Sequence, residues 1–408
     1  EDYQNYSHQE SEELRQYLLP NNSWHKIEQQ SLLMRTLSAT HGTTLKYNFT
    51  QPNNFVFQVQ GYITSHRTPK LKKSFLVRET GKSDYIYHTH NRDEYNSNAL
   101  NLYFKKYLPN KQVLMFNAVG TSINSDYDYR YNQEDNGFQT SYGVEGKKSS
   151  VIGEARYSKD FEWGSLTSGI HSFYEHTKNH YTSSASNEGK MINISSKVYV
   201  QLDGRWGKFS GSANLAIEDQ YYKQQSDRYH KQMFSPSGKL NYAINQRLSL
   251  GYDFNLASRL PALSSMNNAA YQIDQWERRV GNSGLKPFNH IEHSLTLAYY
   301  NQKCYAMLQG VYAYNKNAIM PTLTRTEEEN EHVFFDNGVG NQRDFKQLVL
   351  TAYLRYALFQ NKLVLSGTGS YIHYHADSEL YNNRRGFFFG NLGVESYLGK
   401  LYLSANIR

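Results

Sequence analysis

Residues 248–256 read LSLGYDFNL. Leu248, Leu250, Tyr252, Phe254 and Leu256 are apolar, and Ser249, Gly251, Asp253 and Asn255 between them are small or polar. Successive side chains of a β-strand point to opposite faces, so this period of two describes a strand with one oily and one wet side. The pattern recurs. Ile192, Ile194, Val198, Val200 and Leu202 alternate with Asn193, Ser195, Lys197, Tyr199, Gln201 and Asp203. Phe209, Gly211, Ala213, Leu215 and Ile217 alternate with Ser210, Ser212, Asn214 and Glu218. Phe55, Phe57, Val59 and Ile63 stand against Gln58, Gln60 and Thr64, and Leu348, Leu350, Leu354, Tyr356 and Leu358 against Thr351 and Arg355. No long stretch keeps the helical period of 3.6. The spacing predicts one short helical turn, around Glu12 to Leu19, stopped by Pro20.

Short polar turns join these strands in pairs. They centre on Pro52-Asn53-Asn54, Pro109-Asn110, Asp160 to Gly164, Asp203-Gly204, Asn245-Gln246, Asn301-Gln302, Gln360-Asn361 and Gly399-Lys400. Asn, Asp, Gly and Pro are the residues such turns demand. Between successive turns the sequence predicts long polar connections: Ser65 to Ser97, Thr121 to Gly137, Tyr174 to Lys190, Ser258 to Asn289 and Asn315 to Asp344. Tight turns at one end and long loops at the other are the layout of an outer-membrane barrel. Eight turns joining two strands each predict about sixteen strands. The fold class expected is all-β: an antiparallel up-and-down transmembrane β-barrel with short periplasmic turns and long extracellular loops.

Composition agrees. Of 408 residues 36 are Tyr, aromatic residues make 15%, and the hydrophobic fraction is only 38%. Mean hydropathy is −0.75. That is too little aliphatic content for a soluble core of this length, and too much aromatic content for a disordered chain. A barrel wall needs one apolar face per strand, so a low apolar fraction suffices. No run of 18 apolar residues offers a transmembrane helix. No secretory leader opens the chain, which fits a mature protein or a piece of one. Cys304 is the only cysteine, so no disulfide framework exists within the chain. The net charge of +7 is scattered and predicts no nucleic-acid patch.

With lipid outside and water inside, the apolar alternates face lipid and the polar ones a wet lumen. Aromatic residues near strand ends are then expected in interfacial girdles, with Tyr47, Phe49, Phe55, Trp163, Trp206, Phe209, Tyr299 and Tyr356 as candidates.

One loop is more specific. After Leu256 come Ser258-Arg259-Leu260-Pro261 and then Gly281-Asn282-Ser283-Gly284-Leu285-Lys286-Pro287, before a strand that begins near His290. This resembles the barrel region of TonB-dependent outer-membrane receptors, and most closely the barrel family common in Bacteroidetes-type receptors. There an Arg-x-Pro stretch and a Gly-Asn-x-x-Leu-Lys-Pro segment bridge two strands. The motif residues here are Arg259, Pro261, Gly281, Asn282, Leu285, Lys286 and Pro287. The resemblance implies a receptor in the outer membrane of a Gram-negative cell. Such a receptor takes up a scarce nutrient, either an iron chelate, a cobalamin or a glycan, and carries no catalytic role or cofactor. It implies contact with lipopolysaccharide, and with the TonB complex where a plug domain is present. The chain departs from the family in reading as a plugless, incomplete barrel over residues 41–408, preceded by a polar segment over 1–40, with no terminal aromatic residue.

Candidate chemistry outside the motif is sparse. His171, Glu175, His176 and His180 have helix-type metal spacing but fall on a strand and loop, where they do not converge. His88, His90, Asp93 and Glu94 form a second cluster, and His373 and His375 a third. Each reads as a loop tip rather than a metal site. Glu327-Glu328-Glu329 and Glu331 read as a solvated charge run. Lys70, Lys72, Lys73, Arg384 and Arg385 are candidates for lipopolysaccharide phosphates. No nucleophile elbow, phosphate loop or His-Glu-x-x-His occurs. The readings that remain are an uptake receptor, a sixteen-strand passive porin or specific diffusion channel, a soluble carbohydrate-binding β-protein and, least supported, a barrel enzyme.

Overall fold

A computed structural model gives the fold. It describes every residue except 1, 5–10, 183–186, 225–226, 267–269, 328–332, 399–400 and 408, together with the side chains of 2–4, 35, 70, 187, 263–264 and 398. Twenty-three strands and one helical turn are found among the described residues. They run β1 (Asp2–Gln4), β2 (Glu12–Leu18), β3 (Trp24–Gln51), β4 (Phe55–Glu79), β5 (Tyr85–Leu108), β6 (Gln112–Gln133), β7 (Gln139–Asp160) and β8 (Gly164–Thr182). Next come β9 (Asn187–Trp206), β10 (Phe209–Gln224), β11 (Asp227–Phe234), β12 (Ser237–Ala243), β13 (Leu248–Arg259), α1 (Leu263–Met266), β14 (Ala270–Gln272), β15 (Glu277–Val280) and β16 (Phe288–Tyr300). The chain ends with β17 (Cys304–Lys316), β18 (Ile319–Glu327), β19 (Val333–Asn341), β20 (Asp344–Leu358), β21 (Leu363–Asp377), β22 (Asn382–Leu398) and β23 (Leu401–Ile407).

From β3 onward, wall strands pair antiparallel with their neighbours in chain order. The run passes through β10, β12, β13, β16, β17, β20, β21, β22 and β23. This is the expected up-and-down order. Left-handed backbone concentrates in the short turns, at Asn53, Asn110, Lys111, Gly207, Gln360 and Asn361. The turn expected at Asp203-Gly204 lies four residues further on: β9 continues to Trp206, and Gly207, at φ 56°, reverses the chain. Glycine enters that left-handed conformation without the backbone strain an L side chain carries there. Gly399-Lys400 lies outside the described residues, although Leu398 and Leu401 pair directly across it.

Three of the five expected long connections are strand instead. β3 to β7 have 28, 25, 24, 22 and 22 residues, whereas about ten cross a bilayer. Ser65–Ser97 and Thr121–Gly137 are the upper parts of β4–β5 and β6–β7, turned at residues 80–84 and 134–138. Of the connection expected over Tyr174–Lys190, the described residues 174–182 and 187–190 likewise belong to β8 and β9. Above the bilayer the outer face of a strand turns polar, so the apolar alternation written by lipid vanishes while hydrogen-bonded pairing continues. The result is a tall half, β3 to β9, and a short half, whose wall strands β12, β13, β16, β17, β20 and β21 have 7 to 15 residues.

Burial is inverted relative to a soluble protein. Ile63, Leu100, Val151, Ile170, Val198, Leu215, Ile217, Leu308 and Leu354 are each half or more exposed on the outer face. Gln133, Gln220, Asn193, Glu175 and Ser370 are buried on the inner one. A continuous apolar belt of this extent has no place in water. It is the lipid face of an outer-membrane β-barrel wall.

At the amino end the helical turn expected over Glu12 to Leu19 is β2, paired from Glu12↔Gln30 to Leu18↔Trp24. The strand pairing, and the partners that Arg15 and Tyr17 find, override local helix preference. The sheet also reaches back across residue 41, since β3 begins at Trp24. His25 and Ile27 are buried and Trp24 and Lys26 exposed, a strand period written in mixed residue types. Among the described residues, the outer edges of β3 over 41–51 and of β23 carry no strand partner.

Candidate ligand site at the mouth of the lumen

The two connections that remain long fold inward. The one from β13 to β16 contributes β14 and β15, and the one from β17 to β20 contributes β18 and β19. They combine in a four-stranded sheet: β14 and β18 pair antiparallel with β15 and β19, and β15 joins β19 in parallel. This sheet packs on the inner face of the tall half. Tyr17, Ile27, Val77, Tyr85, Tyr87 and Tyr131 of the wall enclose Phe335 of β19, with Trp276 and Val333 packed alongside. Tyrosine rings tile the contact. Tyr87 stacks on Tyr131 at 4.8 Å between centroids, and Tyr142 meets Tyr271 of β14 at 4.2 Å. Part of the tyrosine excess therefore serves as an inner platform for the folded loops.

Polar bonds fix the loops in place. The Glu79 carboxylate is fully buried and accepts bonds from Tyr85 Oη at 2.7 Å, Gln275 Nε2 at 2.9 Å and Trp276 Nε1 at 3.0 Å. Lys82 Nζ lies 2.9 Å away and His25 Nε2 3.0 Å. Burial alone would push this carboxyl up. The bonds from Tyr85, Lys82 and Trp276, with the Lys82 charge, outweigh it and hold it below the ordinary range. Arg15 donates to Asp274 at 2.7 Å and lies 3.4 Å from Glu277, to which Tyr17 also donates. Arg278 grips Asp336 with two bonds, at 2.8 and 3.1 Å, joining β15 to β19. Burial raises the Asp336 carboxyl and the Arg278 and Thr326 bonds more than reverse this.

The motif segment lies where the two connections meet. Leu285 is 1% exposed and packs with Tyr222 and Met266, and Tyr222 Oη donates to its carbonyl at 2.6 Å. Asn282 accepts from Gly284 N at 2.9 Å and donates to Val339 O at 3.2 Å. Lys286 N donates to Asn341 Oδ1 at 2.7 Å, and Asn341 Nδ2 returns a bond to Lys286 O at 2.8 Å. Pro261 and Pro287 are buried, while Arg259 ends β13 with its side chain exposed. These residues brace the loops.

Between the folded loops and the wall is a cavity of about 690 Å³. Glu13, Arg15, Gln29, Tyr87, Asp274 and Glu277 line its polar side, with Tyr129, Tyr131 and Tyr381 supplying rings. Arg15 Nε is buried there with no hydrogen-bond partner among the described residues. The cavity offers aromatic faces beside fixed donors and acceptors, the makings of a small-molecule site. Sequence reading passed over it because Arg15 lies about 260 residues from Asp274, joined only by the fold. Trp276, set among charges in a polar loop, was the available signal.

The histidine clusters disperse. Glu175 is buried on the inner face while His176 points out. Likewise His90 and Asp93 occupy opposite faces of β5, and no group of three metal-ligating side chains converges among the described residues. Glu328, Glu329 and Glu331 lie outside the described residues. Tyr47, Phe49, Phe55, Trp206, Phe209, Tyr299 and Tyr356 stand on the outer face near short turns, with Trp163 in such a turn. The apolar trough lined by Leu297, Leu308, Leu354, Phe388, Leu392 and Ile407 also lies on the lipid face.

This up-and-down barrel wall is a fold shared with solved transporters and outer-membrane receptors. The chain superimposes on the copper transporter OprC with a TM-score of 0.59 and 10% identity, over 96% of its own length and 65% of that protein's. It matches the unliganded ferric citrate transporter FecA at 0.54 and 12%, covering 94% of itself and 62% of FecA. The siderophore receptor PiuA from Acinetobacter baumannii matches at 0.53 and 9%, with 99% and 72% covered. The chain thus spans about two thirds of the first two. At these identities the likeness is one of fold. No protein-family model and no curated protein matches the sequence.

Proposed function

We propose that the chain is the barrel of an outer-membrane nutrient receptor, of the TonB-coupled type that its loop motif resembles. It would bind a scarce small molecule or glycan at the lumen mouth and import it rather than transform it. The observation that carries this reading is the inward docking of both long connections over a polar aromatic cavity, the first held by the buried Glu79 carboxylate and the second joined to it through Arg278 and Asp336. A passive porin keeps an aqueous path open; here loops occupy the mouth. The outward aromatics from Tyr47 to Tyr356 would form the periplasmic girdle.

Two measurements on the full-length protein test the reading. In planar bilayers a receptor gives no steady conductance, and a stable open channel would establish the porin instead. Titration with ferric chelates, corrinoids and oligosaccharides should quench Trp276 fluorescence for one class, and Asp274→Ala should weaken that response at least tenfold. A protein that stays soluble without detergent would remove the outer-membrane reading altogether.

A further inference from the structure

The cavity at the lumen mouth has a charge opposite to that of the whole chain. The chain carries a formal net charge of +7. The charged residues lining the cavity are the three carboxylates of Glu13, Asp274 and Glu277 against the single guanidinium of Arg15. Arg15 lies 2.7 Å from Asp274 and 3.4 Å from Glu277, and so answers one of those negative charges. Two are left in excess. The ion pairs flanking the cavity, Glu79 with Lys82 and Asp336 with Arg278, are neutral in themselves. Negative charge drawn partly out of water without a counter-ion is costly, and a cation that enters relieves the cost.

The atoms left over are acceptors. Both Asp274 oxygens are occupied: Oδ1 accepts from Trp276 N and Glu277 N, each at 2.8 Å, and Oδ2 from Arg15. Glu277 Oε1 takes Tyr17 and Arg15, and Glu13 Oε2 takes Gln29. Glu277 Oε2 and Glu13 Oε1 have no partner among the described residues. The lining tyrosines spend their protons on the protein. Tyr87 donates to Gln29 Oε1 at 2.9 Å and Tyr129 to Ile273 O at 3.4 Å, while Tyr131 donates to Gln133 Oε1 and Tyr381 to Pro321 O, both at 3.1 Å. They therefore offer the cavity ring faces, which attract cations, and hydroxyl lone pairs, which accept. The charged donor of the lining is Arg15, and Asp274 and Glu277 already claim it. A bare metal ion fits poorly, because no three metal-ligating side chains converge among the described residues.

We propose that this site selects an organic cation: a small molecule with an ammonium or guanidinium group, its N–H donors on Glu277 and Glu13 and its body on the tyrosine rings. Glu277, with a side chain only 15% exposed, would hold the group inside, and Glu13, exposed on β2, would meet it at the rim. The proposal rests on the receptor reading above and narrows it, since it ranks anionic chelates and uncharged glycans below cationic ligands.

Three probes of nearly equal size test it: acetyl-tyrosyl-arginine amide, acetyl-tyrosyl-glutamine amide and acetyl-tyrosyl-glutamate amide. Each is titrated by calorimetry into the full-length protein in nonionic detergent. The cationic probe should bind at least about tenfold more tightly than the neutral one, and the anionic probe most weakly. Nonspecific attraction to a chain of net positive charge would give the reverse order. Glu277→Gln and Glu13→Gln keep size and a hydrogen-bond acceptor. Each should cut the ratio of cationic to neutral affinity about threefold, and the two together should abolish it. That ratio is taken within each variant, so a general loosening of the loops leaves it unmoved. Magnesium chloride at the probe's concentration should not displace the cationic probe. Equal affinity for the three probes, preference for the anionic one, an unchanged ratio in the double variant, displacement by magnesium, or no binding of any probe overturns the proposal. The receptor reading fails separately, through a stable open conductance in planar bilayers.

Discussion

Around Glu79, five donors from four parts of the chain converge on one buried carboxylate: His25, Lys82, Tyr85, Gln275 and Trp276. An acceptor with this many partners cannot be removed without stranding them. Glu79→Ala should therefore loosen the docking of residues 274–277 by about 2 kcal/mol, making amide exchange there roughly thirtyfold faster. The global fold, held by the wall ladder, should persist. Its pH dependence follows from the direction of the shift. Because the folded carboxyl lies below its ordinary value, the attachment is complete above about pH 4.3, the ordinary glutamate value, and is lost as pH falls below that through the folded pKa. Exchange measured from pH 7 down should stay slow to about pH 4.3 and then accelerate. Acceleration between pH 7 and 5 would assign the latch to another group.

At the scale of the elements, the Gly-Asn-x-x-Leu-Lys-Pro segment braces one folded connection against the other. Leu285→Ala should cost about 3 kcal/mol of local stability. Its distinguishing effect is that β18 and β19 loosen too, although they belong to a different connection, because Lys286 and Asn282 reach Asn341 and Val339. Limited proteolysis at residues 318–341 would read it; unchanged cleavage there would show that the loops dock independently. This segment was visible in the sequence as a motif, but its role as a brace was not. The strands were legible wherever lipid meets one face and water the other, as from Leu248 to Leu256, because solvent contrast writes the period of two. It was lost above the belt, where His88, His90 and Arg92 face outward as polar residues and Tyr85, Tyr87 and Thr89 face inward. There the hydrogen-bond ladder extends the strand without apolar alternation. The cavity was illegible for a different reason, since Glu13, Arg15, Asp274 and Glu277 are brought together only by inward folding of a loop.

The whole molecule is an inverted sheet, and adjacent residues on one strand test that inversion. Leu215 of β10 is 56% exposed on the outer face, with Val200 opposite, while Asn214 faces the lumen and bonds Ser237 at 3.3 Å. In a barrel spanning lipid, Leu215→Arg places a charge in hydrocarbon and should cost about 2–4 kcal/mol near the bilayer centre. Asn214→Arg puts the same charge in a wet lumen and should cost less than about 1 kcal/mol beyond the lost hydrogen bond. A soluble β-protein reverses the order, because an exposed leucine tolerates arginine and an inner position does not. Urea unfolding of the two variants of the full-length protein in phospholipid vesicles compares them directly. The barrel reading requires Leu215→Arg to be the more destabilised by at least about 1 kcal/mol, and the opposite order would place Leu215 in water instead of lipid.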